Sequence, residues 1–414
     1  MLLGIGLHAA MPFYASTWPI AEPTASVAGW FDEFALALHG FRMQIFYLLA
    51  GFFTAMVLQR NGLAALLSIR SKRIGIPFVV ALVTVVPLID LASAGVRRPD
   101  VVAPGAPGAG TWFHGDLKLH HLWFLWFLIL YIGAFALVVA AARRVSRRVG
   151  RRAPATARAR SAVLVALVPL PVIPQFFMVD SAEDRTFGPS VSNLLLPDGR
   201  VLVYYAMFFT VGALVWSARD RAGRPLADSL GRGWMLALPT SLLLVLPAAL
   251  VTTFHDPGGA RLPPALLQVA YTWGMVIGLI GAFGHFLRTE RRGARYLADA
   301  SYWMYLMHLP VLIAAHRAVR GWDVPAGVKF AFLCSTVTLL LLASYELCVR
   351  HTVIGRALHG RRPPRAAALP VVRWTRGHGP TWTPHGPLPH PSYDSDLICR
   401  QMLAHHVARA TYTR

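Results

Sequence analysis

Long apolar stretches, almost free of Lys and Arg, recur along this chain and constrain its fold more than any other feature. A helix needs about 20 residues to cross the hydrocarbon core of a bilayer, and most of these stretches reach that length. Because lipid offers no partners to backbone N–H and C=O groups, such stretches fold as helices. The sequence therefore predicts an all-α, polytopic membrane bundle of about ten transmembrane helices. The predicted spans are 1–15, 39–59, 75–95, 120–142, 161–179, 200–217, 234–254, 265–287, 299–317 and 327–349.

The low share of charged residues excludes an ordinary soluble domain. Only 14% of the residues are charged, whereas soluble domains carry about 25%. The formal net charge of +21 is large, but the cations lie in short blocks between the apolar stretches. That arrangement is typical of loops facing an anionic lipid leaflet, so membrane lipid is the expected partner and nucleic acid is not.

The loops between the predicted spans alternate in charge. One set carries blocks of Arg and Lys, at 60–73, 143–152, 219–232 and 288–295. The other set, 16–38, 180–198 and 255–264, is poor in cations. By the positive-inside rule the first set is cytoplasmic, which predicts an inner (plasma) membrane protein with both termini in the cytoplasm. The membrane domain is predicted over 1–362, and the Pro- and His-rich remainder, 363–414, is predicted to be a disordered cytoplasmic tail.

The cysteines and histidines do not show the spacing of a metal site. Cys334, Cys348 and Cys399 lack metal-ligand spacing, and no predicted span contains a His-x-x-x-His pair. We therefore expect no bound metal ion and no disulfide framework.

Ionisable residues inside a membrane are costly and usually mark function. His8 lies in the first span and is either a hydrogen-bonded histidine near the outer interface or a functional group. His39 and Arg42 begin the second span three residues apart, which predicts that they share one helix face. Arg42 either extends to the outer headgroups or faces a polar cavity within the bundle.

Two later spans carry further polar candidates. His120 and His121 precede an aromatic run at the outer end of the fourth span. Neighbouring residues point about 100° apart on a helix, so at most one of the two is expected to face the interior. In the ninth span, Ser301, Tyr305 and His308 follow helical spacing and predict one polar stripe in mid-membrane.

Five strings, in order along the chain, resemble the acyltransferase 3 membrane family and, within it, the branch of glucan biosynthesis protein C. They are HAAMP at 8–12, HGFRMQIFYLLAGFF at 39–53, RSKRIGIP at 70–77, HLWFLW at 121–126 and SYWMYLMHLP at 301–310. The family's usual Ser before the glycine of the second string is Ala50 here. Family members also carry an Arg a few turns before the first-span histidine. That position falls before Met1, so we expect the natural chain to begin upstream.

The resemblance implies transfer of an acyl group, in this branch a succinyl group, from acyl-CoA to a sugar hydroxyl. The acceptor would be a periplasmic glucan or a related extracytoplasmic glycan, and acyl-CoA would be a substrate, with no permanently bound cofactor. His8, in the string that holds the family's essential histidine, is then the expected general base, because an imidazole titrates near neutral pH. Arg42 would stabilise the oxyanion of the tetrahedral intermediate or pair with the free carboxylate of a succinyl donor.

The remaining candidates divide into two groups. Arg70, Lys72 and Arg73 would bind the phosphates of coenzyme A at the inner face, or serve only as positive-inside anchors. Four residues would line the substrate path or orient the base: His39, His121, Tyr305 and His308. Two rival functions remain open at this point, a transporter or flippase with the histidines as a proton relay, and a non-enzymatic partner of a polysaccharide synthase.

Overall fold

The computed structural model describes residues 1–13, 30–94, 118–149, 163–179, 187–218, 226–255, 259–287 and 292–359. The chain forms two compact units, Met1–Tyr345 and Glu346–Arg414. The predicted tail, 363–414, lies outside the described residues.

The described part of the first unit is built largely from helices. In chain order the helices are α1 Leu2–Ala10, α2 Trp30–His39, α3 Arg42–Arg70, α4 Ile76–Ser93, α5 Trp123–Val149, α6 Val172–Met178, α7 Gly199–Ser217, α8 Leu226–Ser229, α9 Trp234–Thr240, α10 Leu246–Phe254, α11 Leu262–Phe286, α12 Arg292–Val319 and α13 Ala326–Ser344. Turns of 3-10 helix cover Met11–Phe13 and His120–Leu122, and π turns cover Ser71–Gly75 and Ser241–Val245.

Long apolar helices confirm the predicted class, a helical multi-pass membrane protein. Among the described residues, 6 helical stretches are long and apolar enough to cross a membrane. They are Trp30–Ser93, His120–Arg148, Gly199–Ser217, Trp234–Phe254, Leu262–Phe286 and Ala326–Val349. The first is 64 residues long, more than one crossing needs. Shorter apolar helices cover Leu2–Phe13 and Val163–Met178.

The outer surface of the bundle is apolar in a way that lipid explains. Leu91 and Leu243 are each 72% exposed, and Val165 is 74% exposed. Water would penalise such side chains, whereas acyl chains solvate them. The helix α12 is not among the apolar stretches, as expected of a span whose polar stripe lowers its hydropathy.

Several helix boundaries differ from the prediction. The stretch 16–38 was expected to be a loop, but α2 begins at Trp30, with Asp32 and Glu33 in its first turn, where carboxylates favour the positive helix end. The second span continues past 59, because α3 runs on to Arg70 through a kink at Gly62, whose φ is 83°. The fifth predicted span is divided: one helical piece covers 163–167 and α6 begins only at Val172, after two prolines that cannot donate an N–H.

Two glycines let α3 and α7 pack backbone against backbone. A Cβ on Gly51 would collide with the carbonyl of Phe209, and a Cβ on Gly212 would collide with the carbonyl of Leu48. Small residues at a helix crossing allow this close approach, which supplies dispersion contacts where lipid removes the hydrophobic drive between helices. The crossing holds the end of α3 that carries Arg42 against the bundle.

The second unit is described from Glu346 to His359. Arg350 donates to both carboxylate oxygens of Glu346, at 2.6 and 2.8 Å, one helical turn apart. A short helix, α14, covers Val353–His359.

Candidate active site

A cavity of about 370 Å³ lies within the first unit. Its wall is formed by α1, the end of α2, α3, the turn His120–Leu122, the start of α5, the segment 191–193 and α12. The cavity brings together eight of the side chains that the sequence singled out: His8, His39, Arg42, His120, His121, Ser301, Tyr305 and His308. Residues from separate stretches of the chain therefore share one polar chamber inside an apolar bundle.

Three histidine rings meet in this cavity. The ring of His308 lies 5.2 Å from that of His8 and 5.0 Å from that of His121, centre to centre. His121 and His308 are buried, and His8 is half-buried. The Tyr305 hydroxyl donates to the backbone carbonyl of His121 at 2.7 Å. The cluster places imidazole bases beside a space large enough for reacting groups.

Hydrogen bonds determine which ring nitrogen carries the hydrogen in two of these histidines. Nδ1 of His308 donates to the carbonyl of Tyr305 at 2.7 Å. Nδ1 of His8 donates to the sulfur of Met11 at 3.3 Å. Because a carbonyl and a thioether only accept, the lone pair of each neutral ring is on Nε2. Both rings thus have a basic Nε2.

A proline in α12 supplies the anchor for His121. Pro310 has no N–H, so the carbonyl of Leu306, four residues earlier, lacks its usual helical donor. Nε2 of His121 donates to this carbonyl at 3.1 Å. The free Leu306 carbonyl and the His121 ring N–H thus satisfy each other. Their bond attaches the turn before α5 to the middle of α12.

His39 and Arg42 both line the cavity but belong to different helices. α2 ends at His39 and α3 begins at Arg42, so the prediction that they share one helix face is wrong. The helix is interrupted at Gly40, whose carbonyl accepts from Nε2 of Gln44 at 3.0 Å and from Oγ1 of Thr272 at 2.7 Å. Side chains thus replace helical donors at the break, and tertiary packing rather than helix periodicity brings the two residues to the cavity.

His120 and His121 both line the cavity, against the expectation that at most one would face the interior. The expectation assumed a regular helix. Instead the pair lies in a 3-10 turn, and His120 has a left-handed φ of 46°. Nε2 of His120 lies 3.8 Å from a carboxylate oxygen of Asp90.

The three basic residues expected to bind the donor lie elsewhere. Arg70 ends α3, and Lys72 and Arg73 lie in the π turn that follows, so the structure does not bring them to the cavity. From Arg42 to Asn61, before the kink, α3 rises by roughly 30 Å at 1.5 Å per residue. The two predicted groups are therefore separated by about one membrane thickness.

Sequence reasoning missed the segment 187–198, which we call the strap. Its residues Val191 and Asn193 line the cavity. It also missed the buried glutamines Gln175 and Gln268, which are hydrogen-bonded to each other at 2.8 Å. Both lie within predicted spans, and an amide inside an apolar span is a signal that could have identified them.

Within the described ranges no group of three His, Cys, Asp or Glu side chains is arranged to hold a metal ion. The chemistry of the cavity is that of imidazole, phenol and guanidinium groups.

Comparison with known proteins identifies a family across most of the chain. The acyltransferase domain of the acyltransferase 3 family matches residues 1–345. This confirms the resemblance seen in the five sequence strings. No solved structure matches the chain.

Curated relatives agree with that match. Glucans biosynthesis protein C of Escherichia coli is 25% identical over 365 residues, covering 84% of this chain and 89% of the relative. The protein of the same name from Salmonella paratyphi B is 25% identical over 388 residues, covering 88% of this chain and 92% of the relative. That of Salmonella heidelberg is 24% identical over 386 residues, with the same coverage of 88% and 92%.

Proposed function

As a member of the acyltransferase 3 family, this chain is a multi-pass membrane O-acyltransferase, and we propose that it moves a succinyl group from cytoplasmic acyl-CoA to a hydroxyl of an extracytoplasmic glucan. The histidine cluster carries the proposal, because it places basic nitrogens and Arg42 around one cavity. The relatives' name, glucans biosynthesis protein C, supports the choice of acceptor.

The proposed topology has ten crossings in the inner membrane and both termini in the cytoplasm. The cation-rich loops support this orientation through the positive-inside rule. It assigns the strap and the end of α3 at Arg42 to the outer side. It assigns Arg70, Lys72 and Arg73 to the cytoplasmic side, where an acyl-CoA would arrive.

In the proposed reaction His8 acts as general base. The glucan oxygen attacks the thioester carbonyl carbon while Nε2 of His8 takes the hydroxyl proton. The tetrahedral intermediate then collapses, the carbon–sulfur bond breaks, and the thiolate of coenzyme A receives the proton from His8. Ester and free thiol are the products, so the step balances without an oxidant.

Arg42 is proposed to stabilise the oxyanion of that intermediate. It lines the cavity with His8, and a Cβ on Gly4 would lie only 3.6 Å from its Nη1, so the guanidinium lies against α1. A fixed cation in a site with little water stabilises negative charge that develops during the reaction. His39, His121, Tyr305 and His308 are proposed to line the acceptor path and to orient His8.

Replacing His8 tests the base directly. We expect His8→Ala to lower acyl transfer by about 10²–10⁴-fold, since it removes proton transfer in the transition state. The assay incubates purified protein with labelled succinyl-CoA and glucan and measures label in the glucan. His285→Ala is the matched control, because His285 is exposed and contacts Trp234 and Phe286 rather than the cavity. More than a tenth of normal transfer in His8→Ala would remove His8 from this role.

The donor site is tested separately. We expect Arg70→Gln and Arg73→Gln to raise the KM for acyl-CoA and leave the KM for glucan unchanged, since guanidinium groups bind phosphates. Arg147→Gln and Arg148→Gln, in another basic block at the end of α5, are the controls. If only the amount of protein in the membrane falls, the two residues are topological anchors and not a binding site.

A further inference from the structure

We propose that the strap, 187–198, is the acceptor-side wall of the cavity and that Gln268, which lies outside the cavity lining, is the positioning residue that holds it. This inference rests on the proposed transfer to a glucan and names the element that would select the acceptor. Gln268 lies on α11, far in sequence from the histidine cluster.

The start of the strap is hydrogen-bonded to a buried amide network. Oε1 of Gln268 accepts from the N–H of Gly188 at 2.9 Å and from Nε2 of Gln175 at 2.8 Å. The same Nε2 of Gln175 also donates to the carbonyl of Gly188 at 3.1 Å. Nε2 of Gln268 donates to Oγ1 of Thr253 at 2.9 Å. Gln175, Thr253 and Gln268 are all at most 2% exposed, so each lost bond would leave a buried polar group.

The next strap residue connects this network to the cavity. Nε2 of His39, a cavity residue, donates to the carbonyl of Pro189 at 2.8 Å. Gly188 has a left-handed φ of 84°, and a Cβ there would lie 2.8 Å from Cδ2 of His39. The position of the strap and that of the His39 ring are therefore determined together, and Gln268 acts on His39 through the strap.

The second half of the strap closes onto the turn before α5. The N–H of Leu119 donates to the carbonyl of Asn193 at 2.7 Å, and Lys118 forms an antiparallel bridge with Leu194. Nε1 of Trp126 donates to the carbonyl of Leu195 at 2.9 Å. Backbone bonds on both sides of Asn193 thus hold its half-buried side chain at the cavity wall.

The chemistry of this wall suits a sugar. The amide of Asn193 can donate and accept, as hydroxyl groups require, and Val191 adds an apolar surface that the face of a sugar ring can cover. The strap lies at the end of the cavity formed by His39 and Arg42, about a membrane thickness along α3 from the basic residues proposed to bind the donor. The acceptor, and not acyl-CoA, is therefore its ligand.

Gln268→Leu tests the positioning role by comparing the two substrates. We expect it to raise the KM for glucan about tenfold or more while the KM for succinyl-CoA changes little, since the variant leaves the N–H of Gly188 without its acceptor. Gln268→Glu, protonated in this apolar setting, keeps an acceptor oxygen and should restore most of the loss. Thr54→Val is the control for a lost buried hydrogen bond, because the buried Thr54 hydroxyl donates to the carbonyl of Ala50 in its own helix. An equal rise in both KM values, or no rise, would overturn the proposal.

A cross-link gives a readout that does not depend on activity. Lys118→Cys and Leu194→Cys, in a chain whose three cysteines are replaced by serine, place two thiols on the antiparallel bridge. With copper phenanthroline as oxidant, we expect rapid disulfide formation when Gln268 is present and slower formation in Gln268→Leu. In the cross-linked Gln268→Leu protein, the KM for glucan should return toward normal.

The two readouts separate the possible failures. Equal disulfide rates with and without Gln268 would show that this residue does not hold the strap, whatever the activity. If the unaltered protein transfers no succinyl group to glucan, the proposed function fails and the acceptor role fails with it, while the disulfide rates still decide whether Gln268 positions the strap.

Discussion

His8 and His308 differ in what orients their rings, and the difference favours different roles. Nδ1 of His308 is bonded to a backbone carbonyl of its own helix at 2.7 Å, a strong acceptor that fixes the ring. Nδ1 of His8 is bonded to the thioether of Met11 at 3.3 Å, and sulfur is a weak acceptor. The bond to Met11 therefore holds the His8 ring less firmly than the Tyr305 carbonyl holds the His308 ring. His308 is better suited to hold its neighbour in place.

Two roles were considered for Arg42, stabilising the oxyanion and pairing with the succinyl carboxylate, and comparing two acyl donors distinguishes them. If it stabilises the oxyanion, Arg42→Gln should slow transfer from succinyl-CoA and from acetyl-CoA alike, by about 10²–10³-fold. Both donors form the same oxyanion, but only the succinyl group has a free carboxylate. Initial rates with each donor at saturating glucan measure the effect. A loss confined to succinyl-CoA would instead assign Arg42 to carboxylate recognition.

At the scale of elements, α12 shows how a helix defect becomes a connection between helices. Pro310 leaves the Leu306 carbonyl without a helical donor, and His121 supplies one from the turn before α5 at 3.1 Å. Lipid would not satisfy that carbonyl, so the proline and the histidine depend on each other. The Tyr305 hydroxyl, bonded to the His121 carbonyl at 2.7 Å, makes a second connection between the same elements.

This dependence predicts a measurable coupling. We expect His121→Ala to cost about 1–3 kcal/mol of stability, because the Leu306 carbonyl is left buried and unsatisfied. The cost should be smaller in a Pro310→Ala background, where residue 310 again has an N–H, with a coupling of about 0.5–3 kcal/mol. Thermal unfolding of the four detergent-solubilised proteins measures it. As a control, we expect additive effects when Pro310→Ala is combined with the distant His285→Ala. Additive effects of His121→Ala and Pro310→Ala would contradict the proposed bond.

At the scale of the whole molecule, the proposed reaction depends on which side of the membrane each group of residues faces. The π turn Ser71–Gly75, which carries Lys72 and Arg73 and which we call the basic turn, is rich in cations, whereas the strap is not. By the positive-inside rule the two belong to opposite ends of the bundle. A base on the outer half and a phosphate-binding site on the inner half then allow a thioester made in the cytoplasm to reach an acceptor outside.

Cysteine labelling tests this arrangement. Lys72→Cys and Leu196→Cys, each in a cysteine-free chain, place single thiols at exposed positions of the basic turn and the strap. Leu196 is 85% exposed, so its replacement should react with a membrane-impermeant maleimide on intact cells. The thiol at position 72 should react only after the membrane is permeabilised. Labelling of both from one side would refute the orientation and the route of the donor.

The cavity residues were predicted more reliably than their arrangement. Ionisable side chains inside apolar stretches identified His8, Arg42 and His308, because a bilayer makes such residues expensive wherever they lie. The prediction that His39 and Arg42 share one helix face was wrong, because the helix is interrupted at Gly40. The Gly40 carbonyl accepts hydrogen bonds from Gln44 and from Thr272, which is more than two hundred positions away. The strap was missed for the same reason.

The sequence alone determined the membrane-helical class, the polar residues within the spans and the asymmetry of the loops. The hydropathy and charge of a stretch determine whether that stretch prefers lipid or water. They can therefore be evaluated without knowing which other stretch packs against it. Only the tertiary structure decided that three histidine rings meet, that His121 completes the helix opened by Pro310, and that Gln268 holds the strap beside His39. Those features are contacts between distant stretches, and a hydrogen bond between two elements exists only once packing has brought both together.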